Sequence, residues 1–288
     1  MGCFPINFCD NFCNSDIQLK FNKVEILIGL QQNDRLYELN AILQCLCHIE
    51  PLVNHFKFNF AEIKRQEIYK TYKDSKNSLT DSFKKLIDQL WPDEAAQRNE
   101  NDLVEYSKTK SSQNILEKIY KINPNYNEIE EPLIEFILQR LHNELIQTGN
   151  KNKLNLKIVE NNNKDSEFQK YLQNFQNQNK SIINDIFSWT YYTLDNKSGY
   201  NEYNFQSLFY IFYPLEQIYQ FNNQNINNTN KINIYNCLSY EHQKQTIYST
   251  SEILIFLLSS TGLDKNINFL IEEYINVDKF VENKNNIY

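Results

Sequence analysis

The sequence predicts an α+β chain, helices first and strands afterwards, and three observations carry that prediction. From about Val24 to Gln147 the apolar residues recur at helical spacing. From Tyr203 onward they gather instead in aromatic and β-branched runs of strand length. Between the two lies a polar stretch rich in Asn, Gln and Lys. Helices in one block and strands in the next are the element order of an α+β architecture.

The elements follow in order. Residues 1–22 read as an irregular leader. Leu39, Ile42, Leu43 and Leu46 recur at i, i+3, i+4, i+7, an amphipathic stripe. Ser78–Leu90 repeats that period with Leu79, Phe83, Leu86, Ile87 and Leu90. Ser112–Ile122 is a third helix, stopped before Pro124. Pro132 suits the first turn of a fourth, with Ile134, Ile137, Leu138, Leu141 and Leu145 on its buried side. Residues 149–180 are expected to form an exposed connection with a short helix at Glu167–Phe175. Tyr203–Leu215, closed by Pro214, reads as a strand, and Asn222–Asn233 as an Asn-rich hairpin tip. Glu252–Leu258 is a continuous apolar run that predicts a strand covered on both faces. Thr261–Lys265 then turns the chain, and Asn266–Ile271 pairs back as a hairpin partner.

Composition removes several function classes. The chain has 288 residues, 19 Phe and 19 Tyr, and a net charge of −7. No run approaches the roughly 18 consecutive apolar residues of a membrane span. Without a basic balance there is no footprint for nucleic acid. The 5 Gly leave neither GxGxxG nor a P-loop. The 6 Cys crowd at Cys3, Cys9, Cys13, Cys45 and Cys47, with Cys237 far away; that is neither a disulfide framework nor a zinc pattern. A reducing, intracellular setting is expected, in the cytoplasm or a cytoplasmic or cytoskeletal assembly, with no metal and no cofactor. Gly2-Cys3 would be the place for an acyl anchor, although Ile6 stands where a myristoylation site has Ser or Thr.

Three segments in order carry a family resemblance. Gly29-Leu30, then Asn40-Ala41-Ile42-Leu43-Gln44-Cys45-Leu46 and Pro51-Leu52, resemble the cysteine box of ubiquitin-specific proteases, GLxNxGNTCYxNSxLQCLxxxxPL. Glu130-Glu131-Pro132-Leu133-Ile134-Glu135-Phe136-Ile137 stands where that family has QQDAxEFL, and Leu141-His142-Asn143-Glu144-Leu145 where it has LHxEL. Tyr248–Ile255 is similar to the later segment ending P-x-I-L-x-I-x-L. The resemblance implies a papain-like ubiquitin-specific-protease fold in one structural domain. After the leader would come a helical thumb-like region (23–148), the polar connection (149–180) and a fingers/palm-like antiparallel region (181–288), with the late palm strands missing.

The resemblance also says where chemistry belongs. The nucleophilic cysteine of the box falls on Tyr37, and a phenol is a poor acyl-transfer nucleophile at neutral pH. The oxyanion-donating Asn falls on Arg35, and the glycine before it on Asp34. The Asp of QQDA falls on Pro132, which has no backbone N–H. Arg35, Tyr37, Asn40 and Pro132 are therefore the degenerate positions, and Asp34, Arg35, Tyr37, Glu130 and Glu131 the candidate cleft. The simplest reading of Tyr37 is a bulky ring filling a vacated cleft. The family's late His box has no counterpart, because no His follows His242. Tyr191–Tyr200 and the segment after it lack the paired cysteines of a zinc ribbon.

The remaining reactive residues have plainer readings. Cys45 and Cys47 are expected as inert core thiols on a buried helix. His48 and His55 lack partners at metal-ligand spacing, and His142 is expected at the surface or boundary of its helix. Together these features predict a catalytically inactive scaffold, a subunit among other protein subunits of a complex. Non-catalytic binding of ubiquitin or a ubiquitin-like protein is the alternative.

Overall fold

The structure is a computed structural model that describes residues 29–31, 37–65, 69–71, 78–91, 110–125, 132–146, 164–195, 202–225, 231–264 and 267–282. The expected leader, residues 1–22, lies outside the described residues. The chain divides into two compact units, 1–148 and 149–287.

The described part of the first unit is helical: α1 (Tyr37–Leu46), α2 (Glu50–Phe58), α3 (Phe60–Ile63), α4 (Leu79–Leu90), α5 (Gln113–Ile122) and α6 (Leu133–Leu145). Every residue of the predicted α4 stripe is buried. α2, α5 and α6 all pack on α4, which makes it the hub of the unit. Phe83 of α4 meets Phe56 of α2 edge to face at 5.1 Å, an arrangement aromatic pairs prefer.

A buried carboxylate fixes the start of α4. Ser78 caps the helix by accepting from the Asp81 amide at 3.3 Å. Glu144, fully buried in the last turn of α6, accepts from the Ser78 hydroxyl at 2.8 Å and from the Leu79 and Thr80 amides, each at 2.9 Å. Arg140, one turn earlier, donates to the same carboxylate at 2.7 Å. The orphan amides of a helix N-terminus are thus met by an anion, where the dipole favours one.

His142 departs from expectation. It is buried, with 6% of its surface exposed, because α6 packs against both α4 and α1 and its covered arc is wider than one stripe. Burial lowers its pKa to about 4.

The described part of the second unit begins with α7 (Lys164–Asn179), so the predicted short helix at Glu167–Phe175 is extended at both ends. α8 (Ile182–Phe187) leads into β1 (Trp189–Asp195), which pairs antiparallel with β2 (Glu202–Leu208) and with β5 (Thr246–Ser249), in the order β2-β1-β5. The two faces of β1 enter different cores. Trp189 and Tyr191 join the main core of the unit. Tyr192, with Phe205 of β2 and Tyr248 of β5, belongs to an aromatic layer that includes Phe168 of α7.

Several strand expectations are corrected here. Tyr203–Leu215 is two strands, β2 and β3 (Ile211–Pro214), and the chain after Pro214 turns into α9 (Leu215–Asn225). The expected hairpin tip at Asn222–Asn233 therefore begins inside a helix, ends in β4 (Lys231–Asn233), and lies at 226–230 outside the described residues. α10 (Ile234–His242) follows, capped reciprocally by Asn233 and Asn236. β6 (Phe256–Ser259) starts later than predicted, because Ile253 first donates to the Ile186 carbonyl at 3.1 Å. Neither β6 nor β7 (Asn268–Leu270) forms the predicted hairpin. β6 runs parallel to β3 and β7 parallel to β4, each filling the edge of a strand that leads into a helix. β6 is not covered on both faces either, since Leu258 is exposed.

The last described residues close the unit. Val281 makes a parallel bridge with Ile247 of β5, and the Glu282 amide donates to the Ile247 carbonyl at 3.0 Å. The Glu282 carboxylate pairs with Lys164 of α7 and accepts from the Tyr192 hydroxyl at 2.8 Å.

Candidate functional site

The first turn of α1 is where the sequence places chemistry, and a clamp around Asn40 positions it. The Asn40 amide donates to the Gln31 carbonyl at 3.0 Å, and its oxygen accepts from the hydroxyl of Ser112, which is fully buried. Gln31 N–H donates to the Lys110 carbonyl at 2.7 Å, and Lys110 N–H to the Gly29 carbonyl at 3.0 Å. A parallel bridge between Leu30 and Lys110 completes the tie. Asn is a poor interior helix residue unless its side chain has such partners, and Asn40 ties Gln31 and Ser112 to α1. Ser112 and Lys110 were missed from sequence; a mid-helix Asn was the signal that could have led to them.

Tyr37 is the first residue of α1, the position the box assigns to its nucleophile. Its ring is 66% exposed and is not the packed filler of a vacated cleft. The stripe that folds the helix uses Leu39, Leu43 and Leu46, which leaves the first residue free of the core. Asp34, Arg35, Glu130 and Glu131 lie outside the described residues. Pro132 is the N-cap of α6, with ψ at 136°, and its carbonyl accepts from the Phe136 amide at 3.2 Å. Its ring starts that helix and offers no donor.

The thiols of α1 and the turn after it lie at the other end of the helix. Cys45 is eight residues beyond Tyr37, about 12 Å along the axis at 1.5 Å per residue. It is exposed, against the expectation of a core thiol, whereas Cys47 is buried as expected. Burial pushes the Cys47 thiol far above its ordinary range. His48 is engaged through Nδ1 with the Gln44 carbonyl at 2.6 Å and stands edge-on to Trp91 at 5.3 Å. Trp91 in turn donates to the Cys47 carbonyl at 2.7 Å. This end of the helix is a capped, packed terminus. His55 is half-buried, and burial lowers its pKa to about 4. His242, in the second unit, stands edge-on to Phe280. Among the described residues no group of three His, Cys, Asp or Glu side chains is arranged to hold a metal ion. Among them, too, no helix is long and apolar enough to cross a membrane.

The model of the ubiquitin carboxyl-terminal hydrolase family matches residues 38–287. The solved SAGA Ubp8/Sgf11/Sus1/Sgf73 DUB module contains a chain similar to this one, at 14% identity and a TM-score of 0.50, over 95% of this chain and 57% of that one. A second structure of the Ubp8-Sgf11-Sgf73-Sus1 SAGA DUB module gives 13% identity and a TM-score of 0.49, over 88% and 52%. The chain thus spans little more than half the length of the solved chains it matches. Among curated proteins no sequence matches it. The likeness lies in the fold, helices followed by a mixed sheet region.

Proposed function

Because the chain belongs to the ubiquitin carboxyl-terminal hydrolase family, we propose that it keeps the family's fold without its hydrolysis and serves as a structural subunit of a larger protein assembly. The observation that supports this reading is Tyr37 at the start of α1, where the cysteine box puts its nucleophile.

A thiolate is favoured at a helix N-terminus by the positive end of the dipole. The first residue here carries a phenol, and Cys45 lies two turns away from that end. A Cys–His reaction also needs a thiol within hydrogen-bond reach of its base, and Tyr37 supplies none at that position. Of the degenerate positions Asn40 works as a structural clamp, and the Glu144 contacts fix α4. Residues that shape the fold persist while those that cut are replaced, the pattern expected of a chain used for its surface.

Two measurements test the proposal. The full chain is treated with a ubiquitin vinyl sulfone probe, and no covalent adduct is expected; an adduct on any cysteine overturns the inactive reading. The chain is also isolated at endogenous level, where stoichiometric partner proteins are expected. Recovery as a lone, stable monomer overturns the scaffold reading.

A further inference from the structure

The outer face of β7 and the turn after it form an apolar surface with carboxylates close by in the sequence. β7 has one partner strand, β4, so its other edge is open among the described residues. Phe269 packs toward the core of the unit, while Leu270 points outward and is 44% exposed. Ile271 and Tyr274 follow at 81% and 82%, the most exposed large apolar side chains described. A cluster of this kind on an open strand edge is where an extended segment of another chain can add itself.

The charges specify which segment. Glu272 and Glu273 separate Ile271 from Tyr274, and Asp278 follows at the surface. One carboxylate oxygen of Glu272 is turned inside, whereas Glu273 and Asp278 are exposed and open to an incoming cation. Lys279, an exposed base in the same stretch, lies over the Tyr235 and Phe280 rings, at 4.9 and 5.2 Å. A second copy of this chain would bring like carboxylates together, in a molecule already at −7. A basic, apolar strand complements the same surface.

We propose that the edge formed by Asn268–Leu270 with Ile271 and Tyr274 docks an extended segment of a partner protein in which apolar residues alternate with Lys or Arg. The proposal rests on the scaffold reading above and names one of the scaffold's surfaces. Apolar side chains of the segment would cover Leu270, Ile271 and Tyr274, its backbone would pair with β7, and its cations would meet Glu273.

The test uses the full chain and two labelled synthetic peptides, one alternating Val with Lys and the other Val with Glu. The Val-Lys peptide is expected to bind saturably, to lose about tenfold in affinity from low to high salt, and to protect amides within 267–274 from hydrogen exchange. Ile271→Ser is expected to weaken it about tenfold. Glu273→Lys is expected to weaken it similarly and to improve binding of the Val-Glu peptide. Equal binding of both peptides, protection elsewhere, or no saturation overturns the proposal. So does a dimer of the peptide-free chain that Ile271→Ser dissolves, since the occupant is then a second copy. An endogenous assembly that keeps every subunit in the Ile271→Ser/Glu273→Lys chain overturns this surface and leaves the scaffold reading intact. A wild-type chain isolated without partners removes the scaffold reading, and the peptide result is then judged by itself.

Discussion

The two units of the chain solve the same burial problem with different side chains. Among the described residues of the first, the core is mainly aliphatic: Leu39, Leu43, Leu86, Ile87, Ile137 and Leu141 are each nearly or fully buried. The second relies on rings, with Trp189, Tyr191 and Tyr213 in one layer and Phe168, Phe205 and Tyr248 in another. In the first unit, helices meet through stripes set by local sequence, and a single buried carboxylate fixes the start of the hub helix. In the second, short strands depend on partners far along the chain, such as Ile211 with Phe256 and Ile232 with Phe269. Local order leads in one unit and long-range pairing in the other.

Four measurements break or sharpen that contrast. Phe168→Ala removes a fully buried ring from the α7 layer and is expected to destabilise the second unit by about 3–5 kcal/mol. Hydrogen exchange checks it: amides of 189–195 should lose protection while those of 79–90 keep theirs, and equal loss would mean that the units unfold as one. Acid should act on the first unit. The folded-state pKa of His142 is lowered to about 4, so its contribution is complete above the ordinary value of about 6.5 and is lost as pH falls toward 4. The loss amounts to about 3 kcal/mol, and half-buried His55 shifts in the same direction; thermal melts between those pH values should show a falling Tm. Glu144→Gln keeps the shape and removes the charge facing the α4 N-terminus. A cost of about 1.5–3 kcal/mol is expected in urea unfolding, and full stability would show that packing alone holds α4. Gly262→Ala is the smallest of the four. Its φ of +79° and the Glu216 carboxylate crowding its Cβ position predict a loss of about 1–2 kcal/mol, which the Tm would register.

Legibility followed the same division. The α4 stripe could be read residue by residue, because every member of i, i+3, i+4 spacing is a local fact. Glu144 could not, since a charge at i+3 from Leu141 looks like the edge of a polar face until Ser78 is seen beside it. The helix at Leu215–Asn225 was hidden by its Asn and Gln content, although Leu215, Ile218 and Tyr219 carry the period. The partners of β6 and β7 were beyond reach, because a hairpin and a parallel crossover place the same apolar residues in a strand. At the candidate site the apolar stripe of α1 was legible from Leu39, Leu43 and Leu46. The exposure of Cys45 and the clamp of Asn40 with Ser112 were not, because they depend on which helix faces are covered.

The closure at Val281 and Glu282 has a mechanical consequence. This stretch is stitched to β5 by backbone bonds and to α7 by Lys164, so it ties the first described element of the second unit to the last described residues. A load applied at the carboxyl side would pull along the parallel bridge and shear it. It would not peel the contacts away one at a time, and α7 would stay held by the Phe168 layer and by the Tyr248 hydroxyl bond to Asp165. The seam that takes this load is only two residues wide.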